Sequence, residues 1–166
     1  MNKAIHTVVA SALAGVFAIS SGALHADSSS HGSGAMHFDP VETEFGAYEP
    51  DMHATKTVEI EMTDAMRFTP DIIRVKAGDV VKMTHTNTGE MMHELVLGTE
   101  TSLDEHAEMM KKFPGMEHEE PYMSHVKPGE TGEIMWKFTQ AGEYSFGCLI
   151  PGHYDAGMKG KIIVES

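Results

Sequence analysis

Residues 143–164 read EYSFGCLIPGHYDAGMKGKIIV. Two short runs of strand-forming residues, EYSFG (143–147) and KIIV (161–164), flank a segment built around Pro151-Gly152 and Gly157. β-Branched and aromatic residues favour the pleated, half-buried surface of a sheet, and Pro and Gly break it. The stretch therefore predicts strand, long loop, strand. Tyr144, Phe146 and Cys148 share one face by the period of two, so the Cys148 sulfur is expected to point inward. Pro151 and Gly152 can turn the chain back to present His153 beside it, and the turn over residues 154–157 returns Met158 to the same point.

Upstream, the pattern repeats. TKTVEIEM (55–62) alternates Val58, Ile60 and Met62 with polar neighbours, the signature of a half-buried strand. IIRV (72–75), DVVKMTHT (79–86), MMHELVLG (91–98), YMSHV (122–126) and GEIMWKF (132–138) read as further strands between Gly, Pro or Asn turns. One segment differs: TSLDEHAEMMKK (101–112) predicts a helix with Thr101 or Ser102 as N-cap and Lys111 and Lys112 in the last turn, where cations complement the helix dipole. Short strands at near-regular spacing with one inserted helix imply an all-β, Greek-key antiparallel β-sandwich.

The N-terminus has a different character. Lys3 precedes an apolar run from Val8 to Ile19, and Leu24-His25-Ala26 ahead of Asp27 suits cleavage. Residues 1–26 read as a secretory signal peptide rather than a membrane anchor, since the run is short and interrupted by Ser and Gly. Export, most simply to a bacterial periplasm, follows. Residues 27–54, rich in Ser, Gly, Pro and acid, read as a flexible leader. Without residues 1–26, which hold one Lys and no acid, 11 basic residues face 25 acidic ones, a net charge of −14. Such a surface argues against nucleic acid or an anionic membrane as partner. It permits metal cations or a cationic protein, and it also simply keeps an exported chain soluble.

The chain contains a single cysteine, Cys148, so no intramolecular disulfide can form. A catalytic thiol would use a base such as His153, yet no cysteine-hydrolase signature surrounds it. A structural zinc site would need further thiols or a His pair at finger-like spacing. A thiolate with two imidazoles and a thioether matches the trigonal blue-copper arrangement instead. C-x₄-H-x₄-M supplies Cys148, His153 and Met158, and His93, at the start of its strand, is the best second imidazole.

On these motifs, residues 55–165 resemble the cupredoxins, the single-domain copper proteins. MMHELVLG and CLIPGHYDAGM correspond to the family's ligand segments. The resemblance implies a type 1 copper ion on His93, Cys148, His153 and Met158, in a cupredoxin domain spanning residues 55–166. HELVLGTETSLDEHAEMMKKFPGMEHEEP and the His/Met-bearing leader are similar to periplasmic copper-tolerance cupredoxins of the CopI type. Glu94 departs from the Asn that many electron carriers place after the first ligand, which bears on hydrogen bonding near the thiolate.

Histidines and methionines exceed the needs of one site. His31, Met36, His37, Met52 and His53 occupy the leader, where no core would employ them. Met109, Met110, Met116, His118, Met123 and His125 crowd the helix end and the loop beyond it; packing and surface account for them, with additional copper as the alternative. Met62, Met83 and Met135 read as core. Three functions compete: copper tolerance by sequestration or transfer, diffusible one-electron transfer to a periplasmic redox partner, and enzymatic chemistry. The last would call for further copper centres and commonly a His-Cys-His stretch, whereas Gly147 and Leu149 flank Cys148. A monomeric, non-enzymatic copper-tolerance protein is the expectation.

Overall fold

The computed structural model describes residues 38–116 and 118–166. The expected signal peptide and the expected leader residues His31, Met36 and His37 lie outside the described residues. Eleven strands and one helix follow in chain order: β1 (Val41–Thr43), β2 (Gly46–Tyr48), β3 (Lys56–Thr63), β4 (Arg67–Thr69), β5 (Ile72–Lys76), β6 (Val80–Asn87), β7 (His93–Gly98), α1 (Glu100–Lys112), β8 (Met123–Val126), β9 (Thr131–Lys137), β10 (Gly142–Gly147) and β11 (Lys159–Glu165). They form a six-stranded sheet in the order β1-β2-β9-β6-β3-β4 and a five-stranded sheet in the order β5-β11-β10-β7-β8.

The expected sandwich with one inserted helix is present, but its sheets are mixed rather than antiparallel. β3 runs parallel to β6, with Ile60 opposite His85, and β5 runs parallel to β11, with Ile73 opposite Ile162. Connectivity is the cause. After β3 the chain crosses through β4 and β5 to the other sheet before returning as β6, so β3 and β6 travel the same way. Alternation alone reports which face is buried and carries no strand direction.

The inward faces close over one core. In β6 every second residue (Val81, Met83, His85, Asn87) is buried while the residues between are half-exposed. Trp136, Phe138, Phe146, Met62, Met83, Ile134 and Ile162 are among the largest fully buried side chains. Removing such surface from water is the main favourable term in folding, at about 25 cal/mol per Å² of apolar area. β7 breaks the alternation: all six of its residues are buried. One face meets the sandwich core, where Leu95 and Leu97 sit. The other is covered by α1, whose Leu103 and Ala107 pack with Val96, Met123, Leu149 and Tyr154.

Two local expectations change. The helix begins earlier than its sequence signal, with Thr99 as N-cap; its hydroxyl accepts the Ser102 N–H at 3.1 Å. Part of the expected leader is structured as well. β1 and β2 fall within residues 27–54, and β2 pairs with β9. Phe45 is buried and stacks on Trp136 with ring centroids 5.3 Å apart, and the Trp136 Nε1–H donates to the Phe45 carbonyl at 3.1 Å. The strands were illegible because each has three residues, fewer than periodicity needs.

Candidate metal centre

Four segments converge at one end of the sandwich: the start of β7, the turn after β3, the end of β10 and the loop to β11. His93 opens β7 and is fully buried. Its Nε2 lies 3.0 Å from Asp64 Oδ1, in the turn between β3 and β4. A carboxylate only accepts, so Nε2 carries the proton and donates. Nδ1 is then a bare lone pair, and it is buried without a hydrogen-bond partner. An unpartnered buried acceptor costs about 1–3 kcal/mol, which a metal ion at Nδ1 would offset.

Asp64 is itself held in place. It accepts the Glu90 N–H at 2.7 Å and the Met91 N–H at 3.3 Å. These bonds lower its pKa, the Glu90 bond foremost. Asn87 fixes the same turn from below. Its side-chain amide donates to the Met91 and Val126 carbonyls, and its oxygen accepts the Gly89 N–H.

Cys148 directly follows β10 and is fully buried, pointing into the core as its spacing predicts. Sγ accepts the Glu94 backbone N–H at 3.4 Å and lies 3.3 Å from His153 Nδ1. Burial, and secondarily the Glu94 carboxylate, push the thiol pKa up to about 12. Burial favours the protonated thiol, and a cation beside the sulfur would favour the thiolate.

The loop delivers His153 and Met158 by backbone turns. The His153 N–H donates to Ile150 O, Met158 N–H to His153 O, and Cys148 N–H to Met158 O at 3.0 Å. Gly152 and Gly157 take φ of +93° and +94°, a left-handed backbone that favours glycine. His153 is half-exposed; its pKa is lowered by burial and then by His93, whose ring centroid is 5.0 Å away. Met158 is fully buried in the core cluster that contains Cys148. One ligand atom each from His93, Cys148 and His153 lie within 4.8 Å of one another, the one such group among the described residues.

Further neighbours brace this group. Glu94 is buried at 2% exposure. One oxygen accepts the Leu149 N–H at 2.6 Å and the other pairs with His125 Nε2 at 2.9 Å. Tyr154 lies over the Gly147 backbone, where an added Cβ would meet its ring at 2.7 Å, and its hydroxyl donates to Asp104 of α1 at 2.9 Å. Lys111 of α1 reaches Asp155. The inserted helix thus fastens the loop that carries two of the expected ligands. Asp64, at the end of an ordinary strand pattern, offered no signal; only the fold brings it beside His93.

The donors suit a soft or borderline ion: thiol sulfur, two imidazoles and a thioether. The sequence profile of the copper binding proteins, plastocyanin/azurin family, matches residues 54–165. The copper-resistant cuproprotein CopI of Rubrivivax gelatinosus is 43% identical over 137 residues, covering 81% of this chain and 83% of that one. The protein of the same name from Vibrio cholerae serotype O1 is 33% identical over 140 residues, covering 80% and 83%. Among solved structures, auracyanin from Roseiflexus castenholzii superposes with a TM-score of 0.60 at 23% identity, covering 69% of this chain and all of its own. An azurin from Methylomonas sp. strain J gives 0.57 at 17%, covering 68% and all of its own. These two likenesses speak for the fold alone.

Proposed function

The chain belongs to the plastocyanin/azurin family of copper-binding proteins, and from that premise we propose that it is a periplasmic copper-tolerance cupredoxin with one type 1 copper on His93, Cys148, His153 and Met158. The observation that carries the site is the bare, buried Nδ1 of His93, together with ligand atoms of His93, Cys148 and His153 that lie within 4.8 Å of one another. Bound copper supplies one-electron exchange between Cu(I) and Cu(II). The residues do the rest. Asp64 sets the His93 tautomer, the Glu94 N–H steadies the sulfur, and the core around Cys148 and Met158 excludes water.

The tolerance role is supported by the two CopI proteins, which are copper-resistant by name. The residues in excess of one site add to it: Met91 and Met92, at 41% and 44% exposure, directly precede His93. Diffusible electron transfer to a periplasmic partner is the second reading. It is favoured by His153, the one half-exposed side chain of the four, which gives a route for an electron at the surface. We read the protein as a non-enzymatic monomer. Among the described residues no helix is long and apolar enough to cross a membrane.

Copper titration of the mature protein with optical and paramagnetic-resonance readout tests the site. An intense thiolate-to-copper band should appear and vanish in Cys148→Ser. A colourless complex, or a band that survives the substitution, refutes the assignment. For the role, copper stoichiometry should fall when residues 27–37 are deleted. Deletion to residue 54 would confound the test, because Phe45 and β2 belong to the sheet and core. A strain lacking the protein should grow poorly in excess copper; normal growth refutes tolerance.

A further inference from the structure

Outside the centre, α1 and the segment leading to β8 bring together side chains that it leaves unused. His106, half-buried on α1, and His118, beyond the helix, lie ring to ring with centroids 4.9 Å apart and planes inclined at 41°. Sequence distance hid the pair, since a loop with Pro114 and Gly115 separates them. Met110 stands one helical turn beyond His106, on the same face. It is partly buried against the cluster of Val96, Leu103, Ala107, Met123, Leu149 and Tyr154.

The chemistry of this corner favours a cation over a proton. Two imidazoles in contact resist joint protonation. The His106 pKa is lowered by burial first and by His118 second, which leaves lone pairs available at neutral pH. The buried Glu94 carboxylate adds an attractive field at His106. It is not a spare ligand, because the Leu149 N–H and His125 already engage its oxygens. The donors that remain are two imidazoles and a thioether. A monovalent soft ion fits them. Thioether selects Cu(I), and neutral donors would leave a divalent ion's full charge half-buried and uncompensated.

We propose that His106, His118 and Met110 form a second copper site, selective for Cu(I), between α1 and the segment that leads to β8. Glu94 ties it to the centre above. Its negative charge acts on His106, and its backbone N–H donates to Cys148 Sγ. Binding at this site stands independently of the type 1 assignment; its use as an antechamber for copper rests on that assignment.

The test uses full-length mature protein labelled with ¹⁵N, to which Cu(I) is added anaerobically, with imidazole resonances followed by NMR. A chromophoric Cu(I) chelator reports stoichiometry in parallel. The His106 and His118 ring signals should shift in the wild type and equally in Cys148→Ser, which disables the first site. The double variant H106Q/H118Q should bind one Cu(I) fewer per chain than wild type while keeping its thiolate-to-copper band. Ring signals unmoved at saturating Cu(I) overturn the proposal without any variant. So does an undiminished stoichiometry in the double variant, or a response of these rings to Zn(II) and not to Cu(I). Failure of the type 1 reading shows separately, as absence of the Cys148-dependent band.

Discussion

Acid should destabilise this protein through one histidine that takes no part in the proposed metal site. His85 lies on the inward side of β6 and is fully buried. Its Nδ1–H donates to the Met83 carbonyl at 3.2 Å, and Nε2 has no partner. The ring occupies space left by Gly132, its neighbour in β9. A Cβ there would meet Nε2 and Ser124 Oγ, each at 2.5 Å. Burial therefore lowers the His85 pKa from 6.5 to about 4, against weaker opposing contributions from the Met83 bond and the Glu133 charge. The unfolded chain binds the proton near pH 6.5 and the folded chain only near pH 4, so unfolding is favoured as pH falls between them. The gap of about 2.5, at about 1.4 kcal/mol each, makes the loss about 3.5 kcal/mol, most of it present by pH 4 and complete below it. Urea unfolding of the metal-free protein, followed by Trp136 fluorescence from pH 7.5 to 4, measures it. His85→Gln should flatten the acid limb by that amount, with His85→Phe as a second variant. His93 and His153 are common to both proteins and cancel in the difference. Parallel pH profiles for wild type and both variants would refute the reasoning.

The proposed centre yields three further expectations. Copper(II) uptake near pH 8 should release about one proton, since the Cys148 pKa of about 12 keeps the metal-free thiol protonated. Calorimetry in buffers of different ionisation enthalpy reads the number, and a value near zero would mean the thiolate preexists. Asp64→Ala frees the His93 tautomer and should weaken copper binding about 10–100-fold; an unchanged Kd in chelator competition contradicts that role. Met158→Leu should retain copper while its reduction potential shifts. Loss of the metal, or an unmoved potential, would show that Met158 does something other than tune the site.

Much of the sandwich was legible because its longer strands alternate cleanly, as Val58, Ile60 and Met62 or Val81 and Met83 do. The loop was legible because Cys148, His153 and Met158 sit in one local run whose Pro and Gly announce the turns. Direction was not legible. The parallel β3–β6 and β5–β11 pairs arise from where the chain crosses between sheets, which no periodicity records. The three-residue strands β1, β2 and β4 were too short to show a pattern. The N-cap fell on Thr99 rather than Thr101 or Ser102 because three hydroxyl residues lie within four positions, and only backbone geometry chooses among them.

By itself the sequence determined the chemistry available here: one thiol, a histidine and methionine at equal spacing after it, and a histidine at the head of a strand. Ligand type and loop spacing are local properties, carried by neighbours in the chain. Tertiary structure decided which of those atoms are free to act. It set Asp64 against His93 Nε2 and so bared Nδ1. It turned Glu94 to the Leu149 N–H and His125, and laid His106 against His118. Each of these contacts joins residues far apart in sequence, and hydrogen bonding and burial act on distance in space, which the order of residues does not contain.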